Sequence, residues 1–106
     1  MYDLFHLIFE EKAQLTRQAK KDFVRNVSHR LVKTLSVIHD RNICHCDLKP
    51  ENIVFMDGGA DAVGLRIIDF GDAQYITQKD QKFGSLVGTL PYMAPERLAA
   101  PCMYAY

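Results

Sequence analysis

Six apolar residues, Ala19, Phe23, Val27, Leu31, Leu35 and Ile38, recur at intervals of three and four along one stretch of the chain. That interval places them in a single stripe on an α-helix; a strand would alternate with period two. Arg17, Lys20, Lys21, Arg25 and Arg30 fall on the other side, so the helix is amphipathic and one face must be covered. Thr16 stands just before it, with a hydroxyl that can accept from the unpaired N–H groups of the first turn. The spacing predicts a helix over residues 17–39, about 34 Å long at 1.5 Å per residue. Asn42 suits a left-handed exit from it.

The rest of the chain offers shorter elements. Residues 2–9 are apolar with Asp3 and His6 interspersed and read as a short helix, followed by a polar break at 10–15. Two apolar runs, Ile53–Met56 and Leu65–Ile68, flank the turn-forming segment DGGADAVG and read as antiparallel strands joined by a loop. Residues 70–92 have no clear period and read as irregular. APERLAA is expected to begin a short helix at Pro95. A long helix beside a short hairpin makes the fold class α+β.

Composition narrows the function. Thirteen basic and thirteen acidic residues cancel, which gives no support for a nucleic-acid or membrane-surface partner. No apolar run approaches the ~20 residues of a membrane span, and the first residues, MYDLFHLIFEE, do not read as a signal peptide. Three cysteines, without repeated spacing, do not make a disulfide scaffold and suit a reducing compartment, cytoplasmic or nuclear. Cys44-His45-Cys46 has no second ligand pair downstream and is not read as a metal site.

The chemistry concentrates in HCDLKPEN, residues 45–52. A carboxylate (Asp47), an amine (Lys49) and an amide (Asn52) stand together between the long helix and the first strand of the hairpin. A second carboxylate, Asp69, stands in DFG at the end of the other strand. Oxygen donors such as Asn52 and Asp69 suit Mg²⁺. Lys49 can neutralise charge on a transferring phosphoryl group, and Asp47 is left to accept a proton from an attacking hydroxyl. Metal, charge neutralisation and base are the parts that phosphoryl transfer needs.

HCDLKPEN, DFG and APE, in that order and at that spacing behind a long amphipathic helix, resemble the catalytic loop, metal-binding triplet and activation-segment end of protein kinases. Each triplet alone is weak; together they cover essentially the whole chain. The resemblance implies a kinase-like C-terminal lobe, with the long helix beneath the catalytic loop, the hairpin and the activation segment. It implies ATP and Mg²⁺ as cofactors and protein Ser/Thr hydroxyls as the acceptors. By residue, Asp47 matches the catalytic base, and Asn52 and Asp69 match the magnesium ligands. Lys49 matches the serine/threonine-kinase lysine that contacts the γ-phosphate. Thr89, in GTLPYMAPE, matches the threonine that bonds base and lysine in that group. Ile53, Val54 and Phe55 match the floor of the adenine pocket, Val54 most directly. His45 and Phe70 match packed residues of the regulatory spine.

The chain also departs from the family's pattern. No G-x-G-x-x-G is present, nor a strand with a phosphate-binding lysine ahead of the long helix, nor the late helices behind APE. Residues 1–106 are therefore expected to be a partial kinase domain, without the N-terminal lobe and the last helices. Weak ATP affinity and marginal folding of the isolated chain are expected to follow. A non-catalytic kinase-like module that competes for partners is the alternative to an enzyme. At Cys46 most kinases carry an arginine that holds a phosphorylated activation loop. Ser85 stands where that phosphate is commonly attached. A cysteine cannot pair with phosphate; a redox-sensitive thiol is the alternative role, but Asp47 beside it disfavours the thiolate, so a passive role is the simpler reading. Activity is therefore expected to be independent of phosphate at Ser85; a Ser85→Ala form of the full-length protein that loses most of its activity would contradict this.

Overall fold

The computed structural model describes residues 1–11, 14–56, 64–78 and 87–99. In chain order they form β1 (Tyr2–Asp3), α1 (Leu4–His6), a π-helical turn (Leu7–Glu11), α2 (Arg17–His39), β2 (Ile43–Cys44), a 3₁₀ turn (Pro50–Asn52), β3 (Ile53–Phe55), β4 (Leu65–Ile67), β5 (Gln74–Tyr75), a second 3₁₀ turn (Leu90–Tyr92) and α3 (Pro95–Ala99). The chain divides into two compact units, one of Met1–Val37 with Pro50–Ile68, the other of Ile38–Lys49 with Asp69–Tyr106.

The first unit holds a three-stranded antiparallel sheet in the order β1-β3-β4. β3 is central, pairing Tyr2 with Phe55 on one side and Ile53 with Ile67 on the other. A strand bonded on both edges and covered on both faces is best filled by an unbroken apolar run. All three of its residues, Ile53, Val54 and Phe55, are buried. Leu4, Leu7, Phe23, Val27 and Ile67 complete the buried apolar set.

The hairpin follows the predicted pairing of residues 53–56 with 65–68, one residue shorter at each strand's end. Helix α2 has the predicted bounds. Thr16 caps it: Ala19 N–H donates to Thr16 Oγ1 at 3.2 Å, and Lys20 N–H to the Thr16 carbonyl at 3.0 Å. The stripe is buried at Phe23 and Val27 and half-buried at Ala19, Leu31, Leu35 and Ile38, while Val24 and Val32, off the stripe, are exposed.

One expectation needs correcting. Tyr2 and Asp3 are extended rather than helical. Asp3 Oδ1 accepts from His6 N–H at 2.7 Å, which makes Asp3 the N-cap of α1 and holds it outside the helix. β3 supplies the ladder that the two residues then join.

In the second unit β2 pairs antiparallel with β5, Ile43 opposite Tyr75 and Cys44 opposite Gln74. Ile76 N–H extends the pairing to the Asn42 carbonyl at 2.7 Å. Asn42 leaves α2 with φ 56°, the left-handed exit that its short polar side chain tolerates. Segment 70–92 is thus less irregular than its sequence suggests, since it contains β5 and a 3₁₀ turn. Helix α3 starts at Pro95 as predicted. The loop at 57–63, Ser85 and Cys102 lie outside the described residues. Among the described residues no helix is long and apolar enough to cross a membrane.

Truncating Phe55, almost wholly buried at the sheet's centre, should cost about 3–5 kcal/mol, a large part of the ~5–15 kcal/mol available to a whole domain. In a kinase domain that carries this chain, Phe55→Ala is expected to abolish the cooperative urea transition, while Val32→Ser on the exposed face shifts it by no more than about 0.5 kcal/mol. Equal effects of the two substitutions would rule out a core centred on β3.

Candidate active site

The catalytic-loop candidates lie just after β2. His45 is buried and meets the edge of Phe70, with ring centroids 4.8 Å apart and planes at 66°. Its Nδ1 accepts from Asp47 N–H at 3.3 Å. Cys46 has φ 68°, in the left-handed region that side chains rarely adopt. The backbone therefore bends one residue before Asp47.

Three side chains meet there. Thr89 Oγ1 donates to Asp47 Oδ1 at 2.7 Å. Lys49 Nζ donates to Thr89 Oγ1 at 3.0 Å and lies 3.1 Å from Asp47 Oδ2. One hydroxyl thus donates a hydrogen bond to the carboxylate and accepts one from the ammonium, which uses a donor and an acceptor site together. Asp47 is well covered, its side chain 12% exposed. The Thr89 hydrogen bond, above all, and then the bond and charge of Lys49 hold the Asp47 carboxyl below its ordinary value, against the opposing effect of burial.

Gly88 brings Thr89 into reach. Its φ is +109°, and a Cβ built on it would stand 2.7 Å from the Cys46 carbonyl oxygen. Only glycine lets the two backbones approach that closely. The space left between them, lined by Cys46, Asp47, Gly88, Thr89, Tyr92 and Met93 among others, is about 20 Å³, room for a water molecule at most. On the far side Tyr92 N–H returns to the Thr89 carbonyl at 3.0 Å, and buried Arg97 donates from Nη2 to the Val87 carbonyl at 3.4 Å.

The remaining candidates are distributed over both units. Asn52 and Val54 belong to the first: Asn52 is buried at the end of its 3₁₀ turn, its carbonyl accepting from Ile68 N–H at 2.9 Å, and Val54 is buried in β3. Asp69 belongs to the second. It is exposed, with φ 61°, and its Oδ1 accepts from Gly71 N–H at 3.3 Å. Among the described residues no group of three His, Cys, Asp or Glu side chains could hold a metal ion.

Sequence reasoning missed Gly88, Arg97 and the left-handed turn at Cys46. Gly88 had a signal, since it directly precedes Thr89 in GTLPYMAPE. A buried arginine and a left-handed cysteine had none.

Comparison with known proteins identifies the family. The family described as "Protein kinase domain" matches residues 2–106. The chain is 40% identical over 74 residues to calcium-dependent protein kinase 6 of Plasmodium berghei (strain Anka), covering 70% of this chain and 5% of that protein. It is 36% identical over 97 residues to serine/threonine-protein kinase dkf-2 of Caenorhabditis briggsae, covering 91% of this chain and 8% of that protein. A solved structure, the yeast RNA Pol II CTD kinase CTDK-1 complex, superposes with a TM-score of 0.73 at 28% identity, over 94% of this chain and 30% of the solved one. The chain thus spans a small part of the length of these relatives. A family match along nearly its full length, with kinases as its relatives in both sequence and structure, makes the chain a member of the protein kinase family.

Proposed function

We propose that the chain carries the catalytic loop of a serine/threonine protein kinase, which transfers the γ-phosphate of ATP to Ser or Thr hydroxyls of protein substrates. The observation that carries this reading is the Thr89 hydroxyl bridging Asp47 and Lys49. It ties the group that would meet the substrate's hydroxyl to the group that would meet the phosphate, so both approach one reacting centre in a set geometry.

Asp47 accepts the hydrogen bond of the incoming hydroxyl and aims its oxygen at phosphorus. A carboxylate held below its ordinary pKa is a weak base. It therefore orients first and takes the proton late, once the attacking oxygen has become acidic by bonding to phosphorus. Lys49 offsets the negative charge on the transferring group. Asn52 and Asp69 would hold Mg²⁺. Their amide and carboxylate oxygens suit a hard cation, and the Asp69 carboxylate is exposed, with Oδ1 accepting from Gly71 N–H. When bound, the ion supplies charge neutralisation on the phosphate oxygens. Val54 would face the adenine. The lysine at 49 and the threonine at 89 support Ser/Thr over Tyr as acceptors.

In this reading residues 1–106 are part of a kinase domain. The proposed compartment is the cytoplasm or nucleus, which suits the reduced thiols of Cys44 and Cys46.

The test is a chimera in which this chain replaces the matching segment of a related kinase, assayed with labelled ATP and Ser, Thr and Tyr peptides. Ser and Thr peptides should be labelled, and Asp47→Asn should lower kcat by about 10²–10⁴-fold, the usual contribution of a positioned acid–base group. A chimera that labels nothing, or one whose Asp47→Asn form stays within about threefold of the parent, would exclude the reading in favour of a non-catalytic module.

Thr89→Val tests the bridge. Asp47 stays ionised down to its depressed pKa and loses charge as pH falls through it. Removing the largest cause of that depression raises the pKa, so the acid limb of the kcat/KM profile should move to higher pH, whereas Thr89→Ser should leave it in place. An unmoved limb in Thr89→Val would show that the hydroxyl does not act on Asp47.

A further inference from the structure

We propose that the first half of α2 is a docking surface for an acidic segment of a partner protein, one that sets an aliphatic side chain between Asp or Glu residues. The residues concerned have no part in the phosphoryl-transfer chemistry described above.

The sequence places the charge. The chain carries no formal net charge, yet α2 holds six of its thirteen Lys and Arg residues and one of its thirteen Asp and Glu, Asp22. Four of the six, Arg17, Lys20, Lys21 and Arg25, are linked by spacings of three and four and so share one side of the helix. All four are exposed.

This placement works against the helix itself. Arg17 with Lys20, Arg17 with Lys21, and Lys21 with Arg25 are like-charge neighbours, each of which weakens a helix. The first turn has no acidic residue, although the helix dipole favours anions there and disfavours cations. Asp22 gives little relief. Gln18 Nε2 donates to its two oxygens at 3.1 and 3.2 Å, and Arg25 Nη1 stands 3.8 Å from Oδ1 in an exposed pair. Among the described residues, neither Arg17 nor Lys21 has a carboxylate within ion-pair distance. A face that serves only solvation does so with both signs of charge interspersed. Charges that their own element disfavours point to a use outside that element.

The surroundings of the four cations select the partner. Together with Leu15 and Val24 they line a recess of about 700 Å³, within the size range of sites that enclose a ligand. Leu15 is half-buried and Val24 is 60% exposed. Apolar side chains ringed by charge are the anatomy of a protein–protein contact. Carboxylates complement the ring, two-pronged on Arg17 and Arg25 and as point charges on the lysines. From Arg17 to Arg25 the helix advances about 12 Å, which about four residues of extended peptide also span. Single-stranded nucleic acid would need aromatic side chains to stack on, and no lining residue is aromatic. A helix lying on a membrane would need large apolar side chains projecting beside its cations, where this one offers a valine.

The experiment uses the kinase chimera defined above. The probe is a labelled peptide with leucine between two pairs of glutamates, followed by fluorescence anisotropy. The peptide should bind, and more weakly as salt rises. Replacing its glutamates by glutamine should cost at least about tenfold in affinity, and replacing its leucine by glycine about threefold or more. Lys21→Glu separates docking from structure. It converts two like-charge pairs, with Arg17 and with Arg25, into opposite-charge pairs. The Tm of the chimera should therefore hold or rise while peptide affinity falls at least about tenfold. Arg30→Gln with Lys33→Gln removes two exposed charges from the same helix outside the recess and should leave affinity within about twofold. The proposal is overturned if the peptide does not bind, or if the Arg30 and Lys33 form loses as much affinity as Lys21→Glu. It is equally overturned if Lys21→Glu binds like the parent or loses stability along with affinity. Tighter capture of phosphatidylserine vesicles or of single-stranded DNA than of the peptide would replace it with a membrane or nucleic-acid surface. None of these readouts involves phosphoryl transfer, so they stand or fall apart from the kinase reading.

Discussion

One hydroxyl, that of Thr89, joins a carboxylate and an ammonium that stand 42 and 40 residues earlier in the chain. Bringing such distant residues together costs on the order of 3 kcal/mol in loop-closure entropy. A single neutral hydrogen bond, with a net contribution of about 1 kcal/mol, would not hold them. Two hydrogen bonds to charged groups and a well-covered ion pair can, because charge-assisted bonds contribute about 1.5–3 kcal/mol each. The contact is therefore a set of three that succeeds together, and the segment after Gly88 takes its position from it.

Around this contact the backbone departs from ordinary preference. Asn42, Cys46 and Asp69 all have positive φ, and all three belong to the second unit. A left-handed residue with a Cβ costs roughly 1–2 kcal/mol, less for Asn and Asp, whose side chains bond locally. Cys46 has the least relief of the three, and it is also the residue whose carbonyl approaches Gly88. Such local conflicts collect at functional sites, where surrounding contacts hold a conformation that the segment would not choose alone.

The two units are stabilised differently. Every buried apolar side chain among the described residues belongs to the first, centred on β3. Among the described residues of the second, His45 and Arg97 are the buried ones, and they are joined by hydrogen bonds and the short pairing of β2 with β5. Apolar burial is non-directional and tolerates small shifts, whereas polar contacts demand distance and angle. A unit held by polar contacts is suited to fixing a few functional atoms.

Much of the fold was legible because its signals are local. The stripe from Ala19 to Ile38 specified α2, Thr16 and Asn42 marked its ends, and the apolar runs beside DGGADAVG specified the hairpin. β1, β2 and β5 were not legible: a two-residue strand has no period of its own and exists through the ladder its partner supplies. The site divides in the same way. The order of HCDLKPEN, DFG and APE determined the family and which side chains could carry the chemistry, since residue type and spacing are written in the chain. Tertiary structure alone decided that the Thr89 proton points to Asp47, that Gly88 lies against Cys46, and that the Cys46 thiol turns back onto Cys44. Those contacts depend on backbone angles and on segments far apart in sequence, and no single stretch of residues encodes either.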